Sequence, residues 1–208
     1  MISFKYKNIP VEIRTGFFIV ITFMLLACDN ETVIISLCSS VLHECGHLAA
    51  IVILSEKPEK IVFSASGMRI DRRRNAFISF SKEIIVAASG VFVNFIISLF
   101  SYAVYSFSKI GFFSSAFAVN LIIGAFNILP LESLDGAVCL KHYLCLRTGE
   151  EKAETVTNLV SVIVSVILII FFAFTVYFRK VNLSFAVVII YLMILMINRI
   201  LELKKSVI

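Results

Sequence analysis

The chain has no tryptophan and is poor in proline, histidine and charge. Its 208 residues include three Pro and three His, and charged side chains make up 16% of them. Soluble domains carry about 25% charged residues, so this composition excludes a chain built of ordinary soluble domains. Apolar residues are abundant instead, at 60% with a mean hydropathy of +0.99. The composition therefore predicts an all-α polytopic membrane protein.

The cysteines and the net charge indicate which covalent links, metal sites and binding partners to expect. None of the five cysteines belongs to a C-x-x-C pair and most fall in apolar runs, which predicts buried, reduced thiols rather than disulfides or a cysteine metal site. The net charge of +5 indicates, in so apolar a chain, membrane topology and contact with anionic lipid. We therefore expect a lipid bilayer as partner, and no nucleic acid.

Six apolar stretches divide the chain, at about residues 14–28, 32–54, 84–107, 112–146, 156–178 and 183–201. Most reach the roughly 20 residues that a spanning helix needs. They predict about six transmembrane helices in a single integral-membrane domain, residues 1–208. The fourth stretch is too long for one regular helix and contains Pro130, so a break is expected there.

The basic residues predict the orientation of these helices. If the amino terminus is cytoplasmic, every Lys and Arg except Lys109, Arg179 and Lys180 falls in a cytoplasmic segment. The positive-inside rule then places both termini in the cytoplasm, and we expect a bacterial cell membrane. Basic residues and a short apolar core precede Cys28, so a lipoprotein-type cleavage site at this cysteine stays an alternative.

The sizeable polar segment of the chain is the loop 55–83. Strand-forming residues surround Gly67 in the segment 60–71 and recur in 76–80, with a basic run at 72–75 between them. This pattern predicts a short cytoplasmic β-hairpin, two strands joined by a basic turn. A structural role with topogenic arginines and a direct contact with substrate are both compatible with it.

The chemistry is concentrated in the run His43-Glu44-Cys45-Gly46-His47, in the middle of the stretch 32–54. A central acidic residue costs roughly 2.5–3.5 kcal/mol in a bilayer, so such residues are rarely kept without a task. On a helix, His43 and His47 project from one face and can share one zinc ion. Glu44 can then reach a water molecule as general base, the arrangement of H-E-x-x-H metalloproteases. The motif predicts one Zn²⁺ per chain.

A zinc site of this kind needs a third protein ligand. Glu132 and Asp135 are the other carboxylates deep in apolar sequence. At about 1.5 Å per helical residue, His47 and Asp135 both lie on the order of 10–15 Å from the cytoplasmic ends of their stretches. This matching depth favours Asp135 as the third ligand, with Glu132 as the next candidate.

Three motifs together resemble those of the site-2 protease family of intramembrane zinc metalloproteases. The first is the His-Glu-Cys-Gly-His run. The second, Ser89–Asn94, is similar to the family's G-x-x-x-N segment, and the third, Asn127–Gly136, to its N-x-x-P-x-x-P-L-D-G segment. Ser133 stands where the family has a second proline, and Val91 where proline is common. The predicted helix number resembles the bacterial branch that processes a sporulation sigma factor.

The resemblance implies a three-helix catalytic core that hydrolyses a peptide bond of a membrane-embedded or membrane-tethered protein, such as a regulatory factor precursor. It implies Glu44 as catalytic base, a regulatory membrane partner, and a hairpin that pairs with an unwound substrate strand. The other roles that it implies are zinc ligation by His43, His47 and Asp135, substrate binding by Asn94, Asn127 and Gly67, and structural support by Gly90, Pro130 and Gly136.

Two other functions are compatible with a metal motif in membrane helices. A metal-binding or transport protein would need ligands along a path, whereas this chain concentrates them at one depth. A catalytically silent membrane scaffold would not need the intact His-Glu-His-Asp set. We therefore predict a protease, and keep the scaffold and the metal-binding protein as alternatives.

Overall fold

The structure, a computed structural model, describes residues 2–6, 9–15, 18, 22, 29–54, 58–64, 67–72, 79–131 and 134–178. The chain divides into two compact units, Met1–Phe126 and Asn127–Ile208, and each is presented by itself. The predicted helix 183–201, most of the predicted helix 14–28, and Cys28 lie outside the described residues.

Three helices make up most of the first unit: α1 (Asn30–Ile53), α2 (Phe80–Ser108) and α3 (Gly111–Asn127), whose last residue begins the second unit. Helices α1 and α2 coincide with the apolar stretches 32–54 and 84–107. Helix α1 begins where the Asp29 carboxylate accepts a hydrogen bond from the backbone N–H of Thr32 at 2.8 Å, an N-cap. Helix α2 ends at Ser108, and the next residue, Lys109, caps it with a left-handed φ of 57°.

Helices α1 and α2 approach each other closely because glycines face each other where they meet. A Cβ on Gly46 would lie 2.9 Å from the carbonyl oxygen of Ser89 and 3.1 Å from the Cα of Gly90. Small residues of this kind let the backbones of membrane helices come together. Towards the end of α1, Ala50 and Ile51 form a buried core with Val86 of α2. The close approach positions the side chains described in the next section.

The first unit also contains a four-stranded sheet of β1 (Ile2–Tyr6), β2 (Ile9–Ile13), β3 (Pro58–Ser64) and β4 (Gly67–Arg72), in that order. The pairs β1–β2 and β3–β4 are antiparallel, whereas β2 and β3 are parallel. A salt bridge of 2.8 Å between Lys60 and Glu12 joins β3 to β2. The sheet thus pairs the amino-terminal strands β1 and β2 with the two strands of the polar loop 55–83.

The structure corrects the predicted hairpin in two respects. The two paired strands both lie within residues 58–72, with the reversal between Ser64 and Gly67. Residues 73–78, which include most of the basic run, lie outside the described residues. Small and turn-forming residues occupy the segment 64–67, which explains the position of the reversal. Phe80, expected in a strand, begins α2 instead. The strands β1 and β2 were not predicted at all.

The second unit contains α4 (Asp135–Thr148) and α5 (Glu150–Phe178). The stretch 112–146 is therefore divided: α3 ends at Asn127, Pro130 follows outside a helix, and α4 begins at Asp135. Gly149, with φ of 84°, separates α4 from α5, a conformation that favours glycine. Lys141 and Glu154 form an exposed salt bridge of 3.1 Å between the two helices.

The fold is mostly helical, as expected for a membrane protein of this composition. Among the described residues, three helices are long and apolar enough to cross a membrane: Asn30–Ile53, Phe80–Ser108 and Glu150–Thr175. Helix α3 is a shorter apolar helix. The total of about six spanning helices stays a prediction.

Candidate metal centre

The two histidines and the glutamate of the first motif form one cluster on α1. His43, Glu44 and His47 each offer a ligand atom, and these atoms lie within 4.8 Å of one another. His43 is buried at 5% exposure, and Glu44 and His47 are half-buried. The spacing of four residues places the two imidazoles one helical turn apart on one face, as predicted. The two rings are edge to face, with centroids 4.7 Å apart.

Hydrogen bonds to α2 assign the tautomer of both imidazoles. His47 Nδ1 lies 2.7 Å from the backbone oxygen of Val86, and since a carbonyl oxygen only accepts, Nδ1 carries the proton. His43 Nδ1 lies 2.5 Å from Oδ1 of Asn94, which likewise accepts. A neutral imidazole has one N–H, so in each ring the Nε2 atom is left with its lone pair.

The two Nε2 atoms converge. They lie 3.1 Å apart, and a cation that lies beside both atoms would offset the repulsion between their lone pairs. With Zn–N bonds of about 2.0–2.1 Å at a tetrahedral angle, two nitrogen ligands of one zinc lie about 3.3–3.4 Å apart. The donor set and its spacing therefore fit one shared zinc ion. The hydrogen bonds on Nδ1 are the outer partners that orient histidine ligands in metal sites.

The backbone of α2 closes over this pair of nitrogens at Gly90. A Cβ on Gly90 would lie 2.5 Å from His47 Nε2 and 2.8 Å from His43 Nε2. A side chain of any size would thus enter the space between the two ring nitrogens. The absence of a side chain at this position keeps that space open, which gives Gly90 a direct structural role at the site.

Asn94 makes contacts different from the predicted substrate contact. Its side chain is fully buried, at 0% exposure, and its Oδ1 accepts from His43 while its Nδ2 donates to Oδ1 of Asn120 at 3.0 Å. Both polar atoms of the Asn94 side chain are therefore engaged within the protein, and substrate binding by Asn94 stays a prediction. Sequence reasoning missed Asn120 and the Val86 carbonyl. Asn120 had a detectable signal, since it is an amide in the middle of an apolar helix.

The remaining site candidates belong to other elements of the fold. Asp135, half-buried, is the first residue of α4 in the second unit, and Asn127 and Pro130 precede it in the same unit. A Cβ on Gly136 would overlap the carbonyl group of Ile128, so glycine is required where α4 meets the segment before it. Gly67 is the first residue of β4 and pairs with Ser64.

Comparison with known proteins agrees with these observations. No family model matches the chain. A zinc metalloprotease of Methanocaldococcus jannaschii is 26% identical over 182 residues, an alignment that covers 81% of this chain and 52% of that protein. The chain thus spans about half the length of this curated relative. The solved structure of the site-2 protease from Methanocaldococcus jannaschii matches with a TM-score of 0.65 at 22% identity, covering 97% of this chain and 94% of that one.

The two comparisons confirm the resemblance that the motifs predict. The sequence match is to a zinc metalloprotease, and the structural match shows that the chain has the fold of a site-2 protease. The similarity to the bacterial branch in particular stays a prediction.

Proposed function

We propose that this protein is an intramembrane zinc metalloendopeptidase of the site-2 protease type. The observation that carries the proposal is the convergence of two imidazole Nε2 lone pairs at 3.1 Å beside Glu44, on a helix apolar enough to span a membrane. The similarity to an archaeal zinc metalloprotease supports the same activity. Binding of Zn²⁺, one ion per chain, is part of the proposal.

Three residues are proposed to hold the ion: His43 and His47 through Nε2, and Asp135 through its carboxylate. The matching depth of Asp135 and His47 in their apolar stretches supports the third assignment, and so does the family motif around Asp135. A zinc ion bound there would supply the Lewis acidity that polarises a scissile carbonyl group.

Glu44 is proposed to move the proton. Its carboxylate lies within 4.8 Å of the histidine ligand atoms, close enough for a water molecule to fit between the groups. Glu44 takes a proton from the attacking water and delivers it to the leaving amine, so one carboxylate serves as base and then as acid. The burial of His43 and the apolar helices that carry the site limit water there, which strengthens the electrostatic interactions at the site.

The substrate is proposed to be a membrane-spanning or membrane-tethered protein, such as the precursor of a regulatory factor. Strand β4, which begins at Gly67, is an edge strand of the sheet, and an extended substrate segment can pair with such an edge. Asn127 is proposed to contact the substrate backbone. We further propose a bacterial cell membrane with both termini in the cytoplasm, and a regulatory membrane partner.

The test measures zinc and hydrolysis on the same samples. Detergent-purified protein is assayed for zinc per chain and for cleavage of fluorescent casein, for the wild type, Glu44→Gln and His47→Ala. We expect about one zinc per chain in the wild type and in Glu44→Gln, with cleavage lowered by about 10²–10⁴ in the latter. His47→Ala should lose both zinc and cleavage.

Other results would favour the alternatives. Absence of zinc from carefully purified wild type favours the membrane scaffold. Zinc without cleavage in the wild type, against casein and against coexpressed single-span proteins, favours a metal-binding protein. Cleavage that survives in Glu44→Gln contradicts the proposed mechanism.

A further inference from the structure

Two asparagines lie buried among apolar helices of the first unit, and the catalytic motif accounts for neither. Asn94 on α2 is 0% exposed and Asn120 on α3 is 1% exposed. Burial of an amide is unfavourable unless its hydrogen bonds are made. Their hydrogen bonds form one connected series that ends at His43. The partner at the other end of the series decides which atom donates at each step.

The series begins at a backbone carbonyl. Asn120 Nδ2 donates to the oxygen of Ala116, one turn earlier on α3, at 2.9 Å. A carbonyl oxygen only accepts, so the NH₂ end of the Asn120 amide must face it. The Oδ1 end of Asn120 therefore faces Asn94, 3.0 Å from Nδ2. Asn94 must donate in turn.

The orientation of Asn94 then decides which nitrogen of His43 carries the proton. With Nδ2 on Asn120, the Oδ1 atom of Asn94 faces His43 Nδ1, which donates to it. A reversed Asn94 amide would present NH₂ to His43 and require an unprotonated Nδ1. The proton would then be on Nε2, and the lone pair that converges on His47 would be lost. The oxygen of Ser39 lies 3.5 Å from Asn94 Nδ2 and supports the same orientation.

We propose that Asn120 is a positioning residue that selects the metal-binding tautomer of His43 through Asn94. The proposal rests on the proposed function only in that His43 is a metal ligand. The series of hydrogen bonds at His43 differs from the arrangement at His47, whose Nδ1 donates directly to the backbone oxygen of Val86. Each ring is thus oriented by a backbone carbonyl, directly for His47 and indirectly for His43. For His43, the amides of Asn120 on α3 and Asn94 on α2 lie between the carbonyl and the ring on α1.

The decisive measurement is the nitrogen-15 spectrum of the imidazole rings in metal-free, detergent-solubilised protein, which distinguishes the Nδ1–H from the Nε2–H tautomer. The chain has three histidines, so His142→Gln and single-histidine variants assign the signals. The wild type should show Nδ1–H for both His43 and His47. Asn120→Leu and Asn120→Ala should shift His43 towards Nε2–H and leave His47 unchanged.

Zinc affinity, measured by competition with a chelator, provides the second readout. Loss of an outer partner of a metal ligand weakens binding by about tenfold to a hundredfold, and we expect this for Asn120→Leu and Asn120→Ala. Asn120→Asp should rescue both readouts, because a carboxyl oxygen in either protonation state accepts from Asn94. Leucine and alanine differ in volume, so if one of the two apolar variants packs poorly or fails to fold, the other still tests the proposal.

Ser98→Ala is the matched control. Ser98 is buried on α2, and its Oγ donates to the backbone oxygen of Phe117 on α3 at 3.1 Å. The variant removes a buried hydrogen bond between the same two helices without touching the series that leads to His43. It should leave the His43 tautomer and the zinc affinity unchanged.

The outcomes separate this proposal from the proposed function. If the apolar Asn120 variants keep Nδ1–H at His43 and bind zinc within about twofold of a wild type that binds it, the positioning role of Asn120 is overturned and the metalloprotease proposal stands. If the tautomer shifts as expected but the wild type binds no zinc, the role of Asn120 in selecting the tautomer is supported and the metalloprotease proposal fails.

Discussion

Glycine brings the chain into close contact in two regions of this molecule, and the two contacts serve different ends. Where α1 meets α2, Gly46 and Gly90 let two helices approach, and the side chains between them already converge on one point. Before α4, Gly136 lets a helix pass against the backbone of Ile128, and what this contact fixes is the backbone that carries Asp135. The contact in the first region positions side chains, and the contact in the second region positions the main chain. A substitution should therefore affect ligand geometry in the first and the placement of the chain in the second.

The largest effect is expected for Gly90→Ala. The new Cβ would lie 2.5 Å from His47 Nε2 and 2.8 Å from His43 Nε2, and neither ring can turn away without losing its Nδ1 hydrogen bond. We expect zinc affinity, measured by chelator competition, to fall by about a hundredfold, the upper end of what loss of an outer partner of a metal ligand costs. Gly111→Ala is the control, since a Cβ there meets nothing within 4 Å. Wild-type affinity in Gly90→Ala would contradict the site geometry.

The second region is tested directly by Asp135→Asn. If Asp135 is the third ligand, removal of its charge should weaken zinc binding by at least about tenfold, the lower end of what loss of an outer partner costs. Glu132→Gln, measured alongside, should bind zinc like the wild type. The reverse result, with Glu132→Gln impaired and Asp135→Asn unchanged, would transfer the ligand role to Glu132.

Gly136→Ala should act through the backbone and have a smaller effect on zinc. Its Cβ would overlap the carbonyl group of Ile128, so the start of α4 must move, and overpacking of this kind costs about 1–3 kcal/mol. We expect a lower apparent melting temperature in detergent and a zinc affinity between those of the wild type and Asp135→Asn. A variant that melts like the wild type would show that the contact at Gly136 is dispensable.

The smallest effect is expected at the start of α1, which belongs to neither region. The backbone N–H of Thr32 donates to the Asp29 carboxylate and lowers the pKa of that group below its usual value of 3.8. Because the folded-state pKa is depressed, the stabilisation is present above pH 3.8 and is lost as the pH falls through the folded value. Asp29→Ala should lower the apparent melting temperature slightly at pH 7 and match the wild type in acid. Asp29→Asn, which retains a capping oxygen, should differ less.

The sequence predicted the metal cluster more fully than it predicted the sheet. The spacing of His43 and His47 is a property of one helix, so periodicity alone brings their ring nitrogens together. The strands Ile2–Tyr6 and Ile9–Ile13 were missed although Ile2, Phe4 and Tyr6 alternate with Ser3 and Lys5, which is a strand pattern. Their place beside β3 depends on pairing between distant segments, which no local pattern specifies.

The break in the fourth apolar stretch was predictable for a related reason. Pro130 lacks a backbone N–H and restricts its neighbours, so a regular helix through it is unfavourable whatever surrounds it. The reversal between Ser64 and Gly67 was missed because the prediction gave the turn to the basic run 72–75 and did not use the weaker turn signal at 64–67. The helix break and the chain reversal both depend on local sequence. The break was predicted and the reversal was not, because the local sequence signal is stronger at Pro130 than at residues 64–67.

The apolar character of the helices, which suits them to span a membrane, and the pairing of two imidazoles with a carboxylate on α1 could both be predicted from the amino-acid sequence. These follow from composition and from the 3.6-residue period of a helix, which act within one segment. The sequence does not predict which nitrogen of each imidazole carries its proton. That choice depends on hydrogen bonds to Asn94 and to the Val86 carbonyl, and on Asn120 behind them. Partners of this kind come from other helices, so their directions exist only once the helices have packed.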